Sequence, residues 1–164
     1  MLKTAVIYAT IQGTTEKAAN YIAEKLPEQD IQIFELSETS EIDISPFDVI
    51  ILGGSVYLGD IQPVMIEFCK DNLETLLAKR IGLFVCGIEP DLIRQDAELE
   101  MAFPRGLFNH AQATAFIGGE VNLEKLNASQ KFISESLLKI KESTSFLQYD
   151  LIDILIYQME LTSE

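Results

Sequence analysis

Five short apolar segments, each leading through a loop into a helical pattern, constrain the fold of this chain more than any other feature. Such segments are typical of strands that are buried on both faces of a sheet. Strands that alternate with helices predict an α/β fold, three-layer and doubly wound, with a five-stranded parallel sheet and right-handed crossovers. The segments are Ala5–Ala9, Ile31–Leu36, Val49–Leu52 (before Gly53–Gly54), Ile81–Cys86 and Ala113–Ile117.

The second segment alternates apolar and polar residues, which predicts a half-exposed strand near a sheet edge. Between the strands, apolar residues recur at helical spacing, and Pro63 suits the first turn of a helix. The predicted helices run from Thr15 to Leu26, from Pro63 to Leu77, from Leu92 to Phe103 before the breakers Pro104 and Gly106, and from a capping box of Asn127 and Gln130 to about Lys141.

The chain has 164 residues, 48% of them apolar, which predicts one domain over residues 1–164 with a core at about 3–142. The rest is an apolar C-terminal extension, residues 146–164. Within it, Leu151–Leu161 is apolar on nearly every side but too short to span a bilayer. We expect it either to cover a sheet-flanking helix or to form a homodimer.

The charge balance excludes several classes of function. With 12 basic and 26 acidic residues the net charge is −14, which disfavours nucleic acid and anionic lipid as partners. No signal peptide or apolar run of membrane-spanning length is evident, so we expect a cytoplasmic protein without a stable membrane span. Cys69 and Cys86 form no C-x-x-C pair, and we expect both to be buried thiols.

In a doubly wound sheet a ligand lies beyond the carboxyl ends of the strands. The first loop there, Thr10–Glu16, contains no lysine or arginine. A helix N-terminus offers unpaired N–H groups and a positive dipole, Thr10, Thr14 and Thr15 add neutral donors, and Gly13 permits close backbone approach. The loop therefore predicts a nest for one phosphate group. The alternative is that it only caps the helix.

Other nucleotide motifs are absent from the sequence. There is no G-x-x-x-x-G-K-[ST] loop for a triphosphate and no G-x-G-x-x-G after the first strand. A phosphate-receiver domain needs carboxylates at the end of strand one, where this chain has Tyr8–Thr10. His110, the only histidine, is predicted at the edge of the sheet opposite the ligand.

Residues 9–16, ATIQGTTE, resemble the flavodoxin phosphate signature T-x-[TQS]-G-x-T followed by Glu. The resemblance covers about residues 3–119 and implies the strand order 2-1-3-4-5 and FMN as cofactor. It implies that the loop after strand three wraps the isoalloxazine and that the loop after strand four contacts it without the usual aromatic ring. The implied cofactor-binding residues are Thr10, Ile11, Gln12, Gly13, Thr14, Thr15, Ser55, Val56, Tyr57, Leu58, Gly59, Asp60, Cys86, Gly87, Ile88 and Glu89.

The leading hypothesis is therefore an electron carrier with a basic redox partner protein, no catalytic side chain and no metal. The acidic residues Glu35, Glu38, Glu41 and Asp43 form either a solvated loop or a docking patch for that partner. Gly53–Val56, Gly59 and Ile117–Gly119 also look like the menaquinone-dependent protoporphyrinogen oxidase branch, whose basic, aromatic insertion is absent at residues 120–125. Such an oxidase and a cofactor-free binding module are the alternatives.

Overall fold

The chain alternates strands and helices along most of its length. The computed structural model describes residues 2–10, 13–27, 30–36, 41–57, 59–136, 139 and 142–161, with only the backbone of Tyr57. The strands are β1 (Lys3–Tyr8), β2 (Asp30–Glu35), β3 (Val49–Tyr57), β4 (Asp60–Ile61), β5 (Arg80–Cys86), β6 (Ala113–Phe116), β7 (Glu120–Val121) and β8 (Thr144–Ser145). The helices are α1 (Thr14–Lys25), α2 (Pro63–Asp71), α3 (Leu73–Leu76), α4 (Leu92–Ala102), α5 (Arg105–His110), α6 (Ala128–Ser136) and α7 (Tyr149–Gln158), with a 3₁₀ turn at Leu123–Lys125.

Five of these strands form one parallel sheet in the order β2-β1-β3-β5-β6. Numbered among the parallel strands alone, this is the order 2-1-3-4-5, so the predicted doubly wound α/β fold is confirmed. β2 lies at the edge and is half-exposed, as its alternating sequence predicts. β4 pairs antiparallel with the end of β3, and β7 and β8 form a separate antiparallel hairpin.

The sheet is buried on both faces, and alternate residues of one strand serve different layers. On one face Val6 packs with residues of α1 and α7, among them Ile22 and Leu155. On the other face Ile7 belongs to the layer formed with α2–α5, which includes Met65. All five of these side chains are fully buried, which explains why the strands are apolar without alternation.

The prediction that β3 ends before Gly53–Gly54 is wrong. β3 continues through both glycines to Tyr57 and turns into β4. A Cβ atom on Gly53 would lie about 2.0 Å from the ring of Phe84, so a glycine here makes room for a neighbouring side chain within the sheet. The predicted helix from Leu92 is confirmed as α4, which ends at Ala102 before Pro104, whereas Gly106 breaks no helix and lies within α5.

Two features of the C-terminal third position the elements around the site. The predicted capping box is present, since Asn127 Oδ1 accepts the N–H of Gln130 at 2.9 Å and Gln130 Oε1 accepts the N–H of Asn127 at 3.1 Å. The predicted end of that helix near Lys141 lies outside the described residues.

α7 buries Ile152, Leu155 and Ile156 against the sheet beside α1, so the tail is itself a sheet-flanking helix. None of the described helices is long and apolar enough to cross a bilayer.

Candidate functional site

The loop after β1 closes tightly onto the first turn of α1. Thr10 Oγ1 accepts the N–H of Gly13 at 2.9 Å, which folds the loop back on itself. Gly13 is the residue before the helix and has φ +91°, a conformation that L side chains rarely adopt. Among the described residues, nothing lies within 4 Å of the position that a Cβ would take there. The loop is therefore shaped for close approach by another group. The predicted site residues Ile11 and Gln12 lie outside the described residues.

The start of α1 is tied to the end of β3 by two hydroxyl groups. Thr15 is fully buried, and its Oγ1 lies 2.6 Å from Oγ of Ser55. The N–H groups of the first helical turn have no acceptor within the helix and point out of its N-terminus. The predicted residues Thr14, Thr15 and Ser55 are thus brought together, and they combine hydroxyl donors with the positive end of a helix dipole.

The β3–β4 hairpin holds the second group of predicted residues. Gln62 Oε1 accepts the N–H of Ser55 at 3.0 Å, while Gln62 Nε2 is buried and has no acceptor among the described residues. Val56 pairs with Ile61 across the hairpin, and Gly59 at its tip has φ +90° and open space around it. The side chain of Tyr57, and Leu58, lie outside the described residues. Asp60, the first residue of β4, is exposed.

The third group follows β5 and is partly buried. Cys86 is the last residue of β5 and is 2% exposed; burial raises the pKa of its thiol to about 12, against a smaller lowering by a hydrogen bond from Thr15. The N–H of Gly87 donates to the carbonyl of Gly118 at 3.0 Å, which joins this loop to the segment after β6. Ile88 and Glu89 follow, half-buried, before α4.

The described residues between β6 and α7 form an excursion that lies over these loops, and of its elements the sequence predicted only α6. It contains β7, the 3₁₀ turn, α6 and β8, and Gly119 accepts the N–H of Phe146 at 2.6 Å at its base. A chamber of about 70 Å³ lies beneath it. The chamber is lined by Thr14, Ser55, Val56, Cys86, Gly87, Ile88, Gly119, Glu120, Val121, Leu126, Gln130 and Ser134. The sequence signals available for this part of the site were Glu120 on β7 and Ser134 on α6, and a single polar residue of either kind is not specific.

Glu120 on β7 fastens the excursion to α1. Its Oε1 lies 2.8 Å from Nζ of Lys17 and accepts a long hydrogen bond of 3.4 Å from the Thr14 hydroxyl. Partial burial by itself raises the pKa of Glu120, but hydrogen bonds from Lys17, Ser145 and Thr14 hold it below its usual range. The hydrogen bond to Glu120 also raises the pKa of Lys17. A polar groove of about 680 Å³ runs beside these residues and shares Thr14, Glu120 and Val121 with the chamber.

The donors of this arrangement fit a flavin nucleotide, but the chamber as it stands is smaller than a flavin ring needs. The helix N-terminus and threonine hydroxyls suit a phosphate, and the mainly apolar chamber beside them suits a ring. Ligand sites are commonly about 300–1,000 Å³, so the excursion has to shift for a ring to enter the smaller chamber.

Among the described residues no group of three or more His, Cys, Asp or Glu could hold a metal ion. His110 lies at the opposite edge of the sheet, 2.8 Å from the carbonyl of Lys79, as predicted.

Comparison with known proteins relates the chain to a family with this fold. The family model described as a flavodoxin domain matches residues 5–147. The flavodoxin of Maridesulfovibrio salexigens is 27% identical in a 95-residue alignment that covers 53% of this chain and 64% of that protein. The match therefore spans just under two thirds of the length of that curated relative.

Solved structures share the fold at low sequence identity. Oxidised flavodoxin 1 from Bacillus cereus has a TM-score of 0.52 and 19% identity, with 97% of this chain and 96% of that chain covered. The rubredoxin oxygen:oxidoreductase from the anaerobe Desulfovibrio gigas has a TM-score of 0.53 and 12% identity, with 96% of this chain but 37% of that chain covered. At these identities the structures show a common fold.

Proposed function

The chain belongs to the flavodoxin domain family, and we propose that it binds FMN and carries electrons between redox proteins. The observation that carries the proposal is the contact between Thr15 at the start of α1 and Ser55 at the end of β3, 2.6 Å apart. It joins a loop suited to a phosphate to a hairpin suited to a flavin ring. A bound FMN would lie across this junction.

The phosphate of FMN would be held at the N-terminus of α1. Its ligands would be the hydroxyls of Thr10, Thr14 and Thr15 and backbone N–H groups of the same loop, which includes Ile11, Gln12 and Gly13. The Thr10 hydroxyl accepts the N–H of Gly13, so these two residues are held together before any ligand arrives. The entropy of ordering Thr10 and Gly13 is therefore lost during folding rather than on phosphate binding.

The ring would be held by the β3–β4 hairpin and the loop after β5. The residues proposed for it are Ser55, Val56, Tyr57, Leu58, Gly59 and Asp60 on the hairpin, with Cys86, Gly87, Ile88 and Glu89 on the other loop. FMN supplies a group that takes up and returns one or two electrons. The chain's own residues bind and orient that group, and the excursion over the chamber excludes water from it.

The net charge supports the carrier function over an oxidase that acts on an anionic porphyrinogen. The net charge of −14 disfavours a further gain of negative charge near the site, which lowers the potential of a flavin bound there. The same charge attracts a basic partner protein and speeds its encounter at low salt. The partner is therefore proposed to be a basic reductase or electron acceptor, and the proposed location is the cytoplasm.

The absorption spectrum of freshly purified protein tests the cofactor directly. We expect a yellow protein whose released flavin is FMN, identified by chromatography, at about one FMN per chain. Flavin-free protein that also fails to quench FMN fluorescence in a titration would reject FMN binding and favour a cofactor-free binding module.

A second assay separates the carrier from the oxidase alternative. FMN-loaded protein is mixed with a flavodoxin reductase across a salt series, and separately with protoporphyrinogen and a menaquinone analogue while porphyrin fluorescence is followed. We expect fast, salt-sensitive flavin reduction and little porphyrin. Rapid porphyrin formation with slow, salt-insensitive reduction would reject the carrier function.

A homodimer through the C-terminal segment would have to use the outer face of α7, because its inner face is occupied. Ile154 is 49% exposed and Tyr157 is 76% exposed, whereas Ile152 and Leu155 are fully buried in the chain's own core. Size-exclusion chromatography of the wild type and Tyr157→Ser tests this surface. A monomer in both cases would reject it.

A further inference from the structure

Helix α4 presents an apolar stripe to solvent. Ile93, Ala97 and Met101 are spaced four residues apart, so they lie along one face of the helix. Ile93 is 81% exposed and Met101 is 79% exposed, and Leu92 beside them is 73% exposed. The opposite face of α4 buries Leu99 in the core, so the helix is already anchored without the stripe. An exposed row of this kind is typical of an interaction surface rather than of scattered surface residues.

The stripe is rigidly connected to the candidate site. Asp91 Oδ1 caps α4 by accepting the N–H groups of Ile93 and Arg94 at 2.9 and 3.1 Å. The side chain of Gln95 donates to the carbonyl of Glu89 at 2.6 Å, which fixes the loop that lines the chamber onto the same helix. α4 also contacts β4 of the second loop. A protein seated on the stripe would therefore lie next to both loops proposed to hold the flavin ring.

Charge around the stripe selects its occupant. Residues 89–101 contain five acidic side chains and one basic side chain. Asp96 and Glu100, exposed and four residues apart, border the stripe directly. Burial raises the pKa of Glu98, and the nearby Glu89 carboxylate raises it further, which is a sign of dense negative charge. A second copy of this chain or an anionic membrane would bring like charges together, whereas a basic protein would neutralise them.

We propose that the exposed face of α4, with Ile93, Ala97 and Met101 at its centre and Asp96 and Glu100 at its rim, is the docking surface for a basic redox protein. The inference rests on the proposed carrier function and adds to it the surface at which transfer takes place. An apolar centre within a charged rim is the usual anatomy of a specific interface. This surface on α4 differs from the acidic patch of Glu35, Glu38, Glu41 and Asp43. In that patch Glu38 lies outside the described residues, and Asp43 accepts a hydrogen bond from the Ser45 hydroxyl.

Cytochrome c, a small basic haem protein, is a suitable probe. FMN-loaded protein is reduced with dithionite under argon and mixed with ferric cytochrome c in a stopped-flow instrument. Each electron that leaves the reduced flavin converts one ferric haem iron to ferrous, and the dithionite supplied those electrons. Ferricyanide, a small acceptor that needs no docking surface, reports the intrinsic reactivity of the flavin. The measured quantity is the second-order rate constant for each acceptor.

Four double variants separate the contribution of the stripe from general effects on stability and net charge. Ile93→Ser with Met101→Ser removes the apolar centre at exposed positions, and Ile93→Val with Met101→Leu keeps it. Asp96→Lys with Glu100→Lys reverses the rim charge. Asp71→Lys with Glu74→Lys makes the same change in net charge at the opposite edge of the sheet, where both residues are exposed.

We expect the serine pair to slow cytochrome c reduction about tenfold and to leave the ferricyanide rate unchanged. The conservative pair should match the wild type. Reversal at the rim should slow the reaction more than reversal at Asp71 and Glu74, and should flatten its salt dependence. Equal rates for the serine pair and the wild type, or equal slowing by the two charge reversals, would overturn the proposal.

A failure of the proposed function gives a different result from a failure of the docking surface. If the protein holds no FMN, its absorption spectrum shows it and the carrier function is rejected. The docking surface is then tested without flavin, by calorimetric titration of cytochrome c into the same set of variants at low salt. Weaker binding confined to the serine pair and the rim reversal supports the surface, and uniform binding rejects it.

Discussion

The phosphate end and the ring end of the candidate site are built in different ways. The phosphate end lies within one short stretch, where Thr10 bonds Gly13 and α1 begins at the next residue. The ring end gathers Ser55, Cys86 and Ser134 from three distant parts of the chain. A local loop keeps its shape when distant segments move, whereas the ring end exists only while the excursion is in place. The comparison predicts that phosphate binding and ring enclosure are separable steps.

The first prediction compares the two ends by removing the phosphate from the ligand. FMN should bind on the order of a hundredfold more tightly than riboflavin, because riboflavin cannot make the charge-assisted hydrogen bonds at the start of α1, each worth about 1.5–3 kcal/mol. Quenching of flavin fluorescence in parallel titrations gives the two dissociation constants. Similar constants would mean that the ring end supplies the affinity and that the loop is only a helix cap.

The same division explains how far the sequence could be interpreted. The five parallel strands were predicted from their apolar runs, because strands buried on both faces must be apolar throughout. The sheet order was implied by the resemblance to flavodoxins, and the end of β3 was not predicted. The phosphate loop was inferred from Thr10, Gly13 and Thr15, since a motif of adjacent residues can be interpreted without tertiary information, and its role stays a prediction. The capping box of Asn127 and Gln130 was predicted for the same reason.

The features that the sequence did not predict depend on contacts between residues far apart in the chain. Glycine is usual in loops, and nothing near Gly53 in the sequence indicates that the ring of Phe84 needs its space. The excursion was missed because β7 and β8 are two-residue strands that pair across more than twenty residues. The ion pair between Lys17 and Glu120 likewise depends on the folded topology. Of the cover over the ring end, the sequence pattern therefore predicted only α6.

The second prediction weakens the phosphate end alone. Thr15→Ala should lower the affinity for FMN about tenfold to a hundredfold, through loss of a charge-assisted hydrogen bond and of the contact with Ser55. Thr15→Ser keeps the hydroxyl and is the matched control, which we expect within a few-fold of the wild type. Fluorescence titration gives the affinity, and circular dichroism of the flavin-free protein confirms folding. Unchanged FMN affinity in the alanine variant would remove Thr15 from the site.

The third prediction concerns opening at the ring end. Cys86 lies beneath the excursion, whereas Cys69 is in the core formed with α2; both thiols are almost fully buried, and burial raises the pKa of each to about 12. Their chemistry is thus alike, and only their exposure by motion differs. Local opening should let iodoacetamide label Cys86 roughly tenfold faster than Cys69, and FMN should protect Cys86. Mass spectrometry of timed samples measures both rates. Equal rates would mean that the excursion opens only with global unfolding.

The smallest expected effect is at the point where the two ends meet. Glu120→Gln should raise the affinity for FMN about two- to fivefold, because it removes a carboxylate near the proposed phosphate and releases Lys17. Glu124→Gln, in the same groove but without a bond to Thr14, makes the same charge change and should alter affinity less.

The pH dependence sharpens this last comparison. Despite the opposing effect of burial, hydrogen bonds from Lys17, Ser145 and Thr14 hold the pKa of Glu120 below its usual 4.5. Its contribution to stability is therefore complete above that value and is lost as pH falls through the lower pKa of the folded state. The hydrogen bond to Glu120 raises the pKa of Lys17 above 10.5, so the lysine's contribution is complete below 10.5 and is lost as pH rises through the raised value. Because a phosphate monoester has its second pKa at about 6, the affinity gain of Glu120→Gln should stay constant only above that titration, between about pH 7.5 and pH 9. A gain that changes steeply within this range would show that Glu120 is not held charged by Lys17.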